Sequence, residues 1–314
     1  MTESLHVDLL IIGWGKGGKT LAAKAAKAGR RVALVERDPG MAGGACINVA
    51  CIPTKALVHS AATRRPQDDP QAYLDEAIRS RDALIARLNA ANRAMLEGHV
   101  TVVFGEAAFV GPRRVAVESD GERLEIEATD VVINTGSAPR PGGVPGADLP
   151  HVHDSISLQH VASLPERLVV VVGAGAVGLE FAQMFAEFGS EVTLVSRGAV
   201  LAADDDELRA SVLEGLTDAG VAVVEDADVR EVTATEVVTT RGTFAADAVL
   251  FATGRVPVVP DGVELAGVDL DERGFVTVDD QLRTSAEHVW AVGDVNGGPQ
   301  FTYISLDDYR IVAS

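Results

Sequence analysis

The chain has 314 residues, 47% of them hydrophobic and 23% charged, which is enough apolar content for a sizeable core and too much for disorder. Against 27 Lys and Arg stand 46 Asp and Glu, a net charge of −19, and a surface that acidic repels phosphate backbones and anionic lipid. Nucleic acid and membrane are therefore excluded as partners. No apolar run approaches the roughly 18 residues of a membrane span. The start, Met1-Thr2-Glu3-Ser4, has no basic region ahead of an apolar stretch, so no signal peptide is expected. The length implies two domains, or one large one. Cys46 and Cys51 are the only cysteines, which excludes a disulfide scaffold, leaves room for one redox pair and makes the cytosol the expected address.

Residues 7–12 form a short, almost wholly apolar run that ends in glycines, followed by a helical pattern over 19–28 and a second apolar run over 32–35. Runs apolar on both faces suit buried parallel strands, so this strand–glycine turn–helix–strand order reads as a βαβ unit. A charged helical stretch over 72–96 comes next, then short alternating runs that include 115–117 and 124–126. A Pro- and Gly-rich connection over 139–150 marks a boundary. The βαβ order then returns at 168–172, 173–178, 179–188 and 191–195, with a similar set of runs after Gly220. The run Asp204-Asp205-Asp206-Glu207 is expected to cap the helix after it, where negative charge meets the positive end of the dipole.

The first glycine loop, Gly13-Trp14-Gly15-Lys16-Gly17-Gly18-Lys19-Thr20, fits two motifs. As a dinucleotide turn, Gly13 makes the turn, Gly15 admits the pyrophosphate and Gly18 lets helix and strand pack. As a P-loop it would cradle a nucleoside triphosphate and its magnesium. With glycine at 31 of 314 residues, Gly-x-Gly-x-x-Gly arises by chance about 0.3 times in such a chain, so alone it is weak. Three features favour the dinucleotide. Glu36 ends the second strand eighteen residues past Gly18, where a carboxylate would accept from a ribose hydroxyl. The pattern recurs at Gly173, Gly175 and Gly178. A magnesium-binding Asp after an apolar strand, which a P-loop needs, is missing.

The stretch Gly43-Gly44-Ala45-Cys46-Ile47-Asn48-Val49-Ala50-Cys51-Ile52-Pro53-Thr54-Lys55 carries the most information. On a regular helix, residues five apart have Cα atoms roughly 8–9 Å apart, whereas a disulfide tolerates about 7 Å. An oxidised pair therefore requires an irregular or tightened turn, which Gly43-Gly44 and Pro53 would allow. A thiolate at a helix N-terminus has a lowered pKa and is nucleophilic. The plainer alternative is two buried cysteines that act as small hydrophobes. A metal site would need more ligands than His59, the one candidate nearby.

Cys46 to Lys55, set between two dinucleotide folds, resembles the class I pyridine nucleotide-disulfide oxidoreductases, the family of dihydrolipoyl dehydrogenase, glutathione reductase and mercuric reductase. The likeness runs from Val7 to the last residue. It takes in Thr135-Gly136, Ala252-Thr253-Gly254-Arg255-Val256-Pro257 and Ala291-Val292-Gly293-Asp294. The ending from Phe301 to Arg310 and the Gly15-to-Thr20 loop look most like a reactive-chlorine-resistance, mercuric-reductase-like subgroup associated with Cu(II) reduction. The resemblance implies an α/β fold of two Rossmann-like domains, the second inserted in the first. An FAD domain would cover 1–150 and 256–314, and an NAD(P) domain 151–255. It also implies a relay in which NAD(P)H passes hydride to FAD and the flavin reduces a Cys46–Cys51 disulfide, whose dithiol reduces an external acceptor. Cys51 would be the charge-transfer thiol and Cys46 the exchanging one. Lys55, paired with Glu180, would lie near the flavin, where developing negative charge wants a cation. Asp294 would accept from the ribitol, Ala107 and Thr302 would make main-chain contacts, and Gly44, Gly136 and Gly254 would belong to the cofactor sites. Read alone, Lys55 and Glu180 are surface charges and Asp294 is a helix cap. Two departures from the family pattern stand beside the sulfurs: Ala45 replaces a threonine and Ala50 a glycine. At positive φ the second would cost about 1 kcal/mol or more.

After the second glycine loop a strand ends at Ser196-Arg197, where NAD enzymes place an acid. A small residue followed by arginine suits the 2′-phosphate of NADPH, although Gly178, where NADP relatives often carry alanine, argues mildly the other way. The expected acceptor is a metal ion such as Cu(II), a small disulfide or a quinone-like oxidant, with a dihydrolipoyl dehydrogenase-like enzyme as the alternative within the family. A nucleotide-binding remnant without turnover and a P-loop NTPase are the rivals from other classes. Family members form homodimers through a C-terminal interface domain with a His-Glu pair, and the sequence ending at Ser314 is expected to be a truncated form without it. The histidines His151, His153 and His160 are expected in a solvated segment rather than at a metal.

Overall fold

The structure, a computed structural model, describes residues 3–119, 121–173 and 175–314; Met1 and Thr2 of the start and Ala174 of the second glycine loop lie outside them. Contacts group the chain into two compact units, one of Met1–Cys51, Ile85–Ala138 and Val256–Ser314, the other of Ile52–Leu84 and Pro139–Arg255. Each is an α/β unit built on a parallel sheet.

In the first unit the strands run in the order Thr101–Phe104, Val32–Glu36, Glu3–Ile12, Glu122–Ile133, Arg114–Ser119, Glu106–Gly111, with Val289–Ala291 also pairing Glu122–Ile133. The first three strands and Val289–Ala291 pair in parallel, while the Glu106–Gly111 and Arg114–Ser119 ribbon is antiparallel. The apolar run of the first strand divides residue by residue between two core layers. Leu9 and Ile11 enter one, with Val32 and Leu34, and Val7, Leu10 and Ile12 enter the other, with Ala33 and Val35. A strand buried on both faces has no polar side to show, which is why its sequence does not alternate. The helix Lys16–Lys27 starts three residues before the periodic pattern, because Gly17 and Gly18 are helical and Gly15 is its N-cap.

The second unit repeats the plan with the strand order Ala222–Val224, Glu191–Ser196, Arg167–Val172, Ala248–Ala252, Val152–His153, all pairs parallel. Leu168, Val170 and Val172 face one layer and Val169 and Val171 the other. A three-stranded antiparallel sheet, Val229–Val232, Glu236–Thr239 and Gly242–Ala245, completes it. Asp205 caps the helix Asp206–Asp218 by accepting from the N–H groups of Glu207 and Leu208, with Asp206 and Glu207 in the first turn. Ile52–Leu84 groups here rather than with the residues around it in sequence. The reason is packing: Leu57, Ala61, Leu74 and Ala77 are buried with Phe181, Phe185 and Phe188 of the helix Ala176–Phe188.

Candidate active site

The first glycine loop is held by its own unit. The Gly18 N–H donates to Asn134 Oδ1 at 2.8 Å, and Asn134 Nδ2 donates to the Val292 carbonyl at 2.9 Å. The Gly17 N–H donates to Ser305 Oγ at 3.0 Å, and the Trp14 N–H to Glu36 Oε2 at 2.9 Å. Burial raises the Glu36 carboxyl pKa against the pull of those amides. Gly13 has φ +99°, and a Cβ there would lie 2.4 Å from the Asn134 carbonyl oxygen. At Gly18 it would meet Asn134 Oδ1 and Ile11, the helix–strand contact the motif implies. At Gly15 it would meet Asn134 Oδ1 at 2.7 Å, so this glycine is required by the protein itself, whatever else approaches it. Gly44, at φ +80°, packs on Gly15, where a Cβ would come 2.7 Å from the Gly15 Cα. Glycine against glycine thus joins the first glycine loop to the cysteine segment.

The cysteines are not on one regular helix. Cys46 lies in the short helix Ala45–Asn48 and Cys51 opens the helix Cys51–Ala61, with the break at Val49 (φ −139°, ψ −6°). The amides of Val49 and Ala50 both donate to the Ala45 carbonyl, tightening the turn. Ala50 is not among the non-glycine residues at positive φ, so its replacement of glycine carries no backbone strain. Both cysteines are free thiols, Cys46 half-buried and Cys51 exposed. Cys51 Sγ lies 3.6 Å from Thr302 Oγ1, so Thr302 brings its hydroxyl to the pair. A hydrogen bond from Cys46 lowers the Cys51 pKa to about 6, with burial opposing, Thr302 and the helix N-terminus assisting, and Asp294 opposing weakly. Cys46 is shifted upward, first by its bond to Cys51 and then by burial. The reduced pair therefore holds its first negative charge on Cys51.

Asp294 opens a single 3-10 turn, Asp294–Asn296, and accepts from Ser137 Oγ at 2.7 Å. The preceding Gly293 N–H donates to Asp308 Oδ2 at 2.7 Å, and burial raises the Asp308 pKa. Gly136, at φ +73°, has no atom within 4 Å of a Cβ position, leaving room beside it. Ala107 is buried in the antiparallel ribbon opposite Val117.

In the second unit Lys55 Nζ and Glu180 form an ion pair, half-exposed on the glutamate side. A Cβ at Gly173 would come 3.4 Å from Thr253, at Gly175 it would meet nothing within 4 Å, and at Gly178 it would lie 2.1 Å from Val172 Cγ1. Gly178 is therefore required by its packing against Val172. Ser196 is buried at the end of its strand and Arg197 is exposed beside Gly198. Gly254, at φ +120°, accepts from the Arg140 N–H through its carbonyl. His151 and His153 are half-buried rather than solvated, and burial pushes the His153 pKa down. Neither they nor any other three His, Cys, Asp or Glu side chains among the described residues converge as a metal site. Among the described residues no helix is long and apolar enough to cross a membrane.

Sequence reasoning missed Asn134, Ser305 and Asn92, which hold the loop and its lysine. Lys19, the lysine of the P-loop reading, has its Nζ committed to protein acceptors: it donates to the Gly43 carbonyl at 3.2 Å and to Asn92 Oδ1 at 2.5 Å.

A family model described as "Pyridine nucleotide-disulphide oxidoreductase" matches residues 7–308. "Probable pyridine nucleotide-disulfide oxidoreductase RclA" of Escherichia coli (strain K12) is 40% identical over 314 residues, covering 96% of this chain and 69% of that relative. A dihydrolipoyl dehydrogenase of Zymomonas mobilis is 33% identical over 324 residues, covering 94% of this chain and 67% of that one. The solved structure described as "Cu(II) complex of HOCl-induced flavoprotein disulfide reductase RclA from Escherichia coli" superposes with a TM-score of 0.91 at 38% identity, covering 99% of this chain and 70% of that one.

Proposed function

The chain belongs to the pyridine nucleotide-disulphide oxidoreductases, enzymes that use FAD and NAD(P)H, and on that premise we propose that it passes electrons from NADPH through the Cys46–Cys51 pair to a metal ion such as Cu(II). The observation that carries this reading is the reduced pair itself. Cys51 sits at a helix N-terminus with Cys46 and Thr302 as hydrogen-bond partners and a pKa of about 6, so it is a thiolate at neutral pH.

The first glycine loop fits a dinucleotide cofactor, with a helix N-terminus, a carboxylate at Glu36, open space at Gly136 and a second carboxylate at Asp294. FAD, when bound there, supplies the two-electron link between NADPH and the cysteines. Gly13, Gly15, Gly18 and Gly44 shape its cradle, Glu36 and Asp294 offer acceptors to its hydroxyls, and Ala107 and Thr302 offer main-chain groups. Lys55, tied by Glu180, supplies a cation. Gly173, Gly175, Gly178 and Gly254 form the corresponding turns for the nicotinamide nucleotide, and Ser196-Arg197 favours the 2′-phosphate of NADPH, because a small side chain leaves the arginine fork room to reach it.

Reducing the disulfide takes two electrons and one proton, leaving Cys51 as thiolate and Cys46 as the thiol that meets the acceptor. Two Cu(II) ions, each reduced to Cu(I), remove those electrons, the disulfide re-forms and the proton is released. The Cu(II) named with the RclA structure motivates this acceptor over lipoamide, since the dihydrolipoyl dehydrogenase relative is more distant. We also place the protein in the cytosol, where its one cysteine pair would meet a reducing pool.

Anaerobic titration with NADPH and then NADH, followed by visible absorbance, tests the reading. A long-wavelength thiolate band should appear on two-electron reduction, at lower NADPH than NADH. In Cys51→Ser the flavin should stay bound while the band vanishes and Cu(II) reduction falls by on the order of 100-fold or more. Flavin that bleaches without the band in the unsubstituted protein would sink the disulfide relay.

A further inference from the structure

We propose that Asp308 is a positioning residue for Asp294: it fixes the peptide bond between Val292 and Gly293 and so aims the Asp294 carboxylate at the hydroxyls of FAD. The inference deepens the reading of Asp294 as a cofactor acceptor and rests on it. The chain leaves the strand Val289–Ala291 through this peptide, and the turn Asp294–Asn296 follows at once. Both polar ends of the peptide are held by side chains. Asn134 Nδ2 donates to the Val292 carbonyl at 2.9 Å, and the Gly293 N–H donates to Asp308 Oδ2 at 2.7 Å. A peptide gripped at its oxygen and at its nitrogen cannot turn over, so the direction in which the chain enters Asp294 is set. The grip matters because Gly293, at φ +75° and ψ −162°, has no Cβ to restrict it, and other conformations are open to it at little cost.

Asp308 is built for that grip. It is 7% exposed and stands on the helix Thr302–Val312. One turn earlier on the same helix, buried Ser305 accepts from the Gly17 N–H at 3.0 Å, so the helix is pinned to the first glycine loop and cannot carry Asp308 away from its amide. A bond whose acceptor is ionised is roughly twice as strong as one between neutral groups. Keeping a carboxylate there is nevertheless costly, because it is buried and the charges that act on it, those of Asp307 and Asp294, are both negative. An apolar side chain would fill the same place without that cost, but only an acceptor holds the Gly293 amide. On the far side of the held peptide, Asp294 Oδ2 accepts from Ser137 Oγ at 2.7 Å, next to the open space at Gly136. Asp308 acts on the backbone one residue before Asp294, and its effect on FAD therefore runs through Asp294.

A double-mutant cycle on FAD affinity tests this, with the dissociation constant of the full chain read from flavin fluorescence in the parent, D308A, D294A and D308A/D294A. In the parent background D308A should raise the FAD dissociation constant by about tenfold, the size of one charge-assisted hydrogen bond. In the D294A background the same change should move it by less than about twofold, because there is no carboxylate left to aim. D308N keeps an oxygen for the Gly293 amide and drops the charge. It should raise the constant by about fivefold, with the same disappearance of the effect in D294A, and it serves if D308A does not fold. A helix residue that merely holds the fold together would weaken FAD equally in both backgrounds, and that result would overturn the proposal while leaving Asp294 as an acceptor. So would an unchanged constant in D308A. If D294A alone binds FAD as tightly as the parent, or the parent takes up no FAD, the reading of Asp294 fails and this inference fails with it.

Discussion

The two glycine loops share one motif and use it differently. In the first, a Cβ at Gly13, Gly15 or Gly18 would strike Asn134 or Ile11, and the amides of Gly17 and Gly18 are already taken by Ser305 and Asn134. In the second, Gly178 is pressed on Val172, but a Cβ at Gly175 would stand in open space. The loop that also carries the cysteine segment is thus built into its unit from behind. In the other, the middle glycine faces open space. Each glycine's role is set by the atom behind it, which the motif does not reveal.

The largest effect expected from testing this contrast is at Gly13. Alanine there combines φ +99° with a Cβ 2.4 Å from a backbone carbonyl that cannot rotate away, so G13A should cost about 3 kcal/mol or more. Thermal unfolding and flavin retention would show it, and a G13A protein as stable as the parent would mean the loop is not braced by Asn134. Replacing Asn134 itself comes next. N134A leaves the buried Gly18 N–H and the Val292 carbonyl without their partner, a loss of about 1–3 kcal/mol in denaturant unfolding together with weaker flavin binding. Equal stability in N134A would show that water replaces the amide and that the brace is dispensable.

The contrast also marks how far the sequence could be read. The runs 7–12 and 168–172 were legible because all their residues but Asp8 join one of two core layers, which leaves a nearly unbroken apolar stretch. The break between the two cysteines was expected only if they pair as a disulfide, since five residues of regular helix hold their Cα atoms too far apart; the structure has it at Val49 with the thiols free. The brace was not legible. Asn134 reaches back 116 residues to Gly18, and Ser305 reaches 288 to Gly17, so no local period announces either. The only trace of Asn134 is a polar residue at the end of an apolar strand, beside the Thr135-Gly136 already noted. The Thr302 hydroxyl at Cys51 was hidden for the same reason, although the residue itself was in view. Ala50 shows what the backbone adds: its cost depended on positive φ, and the turn keeps it out of that region.

The smallest effects divide the second loop most finely. G178A places a methyl 2.1 Å from Val172 Cγ1, overpacking that should cost about 1–3 kcal/mol and that V172A should relieve in the double variant. If the preference between NADPH and NADH is the same in V172A and V172A/G178A, glycine at 178 is a matter of packing and Arg197 is left to set the nucleotide choice. G175A should behave differently. Gly175 has φ −106° and ψ 161°, which alanine adopts without strain, and its Cβ meets nothing, so stability should stay within about 0.5 kcal/mol of the parent. Its NADPH dissociation constant should nevertheless rise by about tenfold, roughly 1.4 kcal/mol, because the methyl would occupy space that only a ligand claims. Unchanged NADPH binding in a stable G175A would put the nucleotide elsewhere and dissolve the contrast between the loops, since the open space at Gly175 would then serve no ligand.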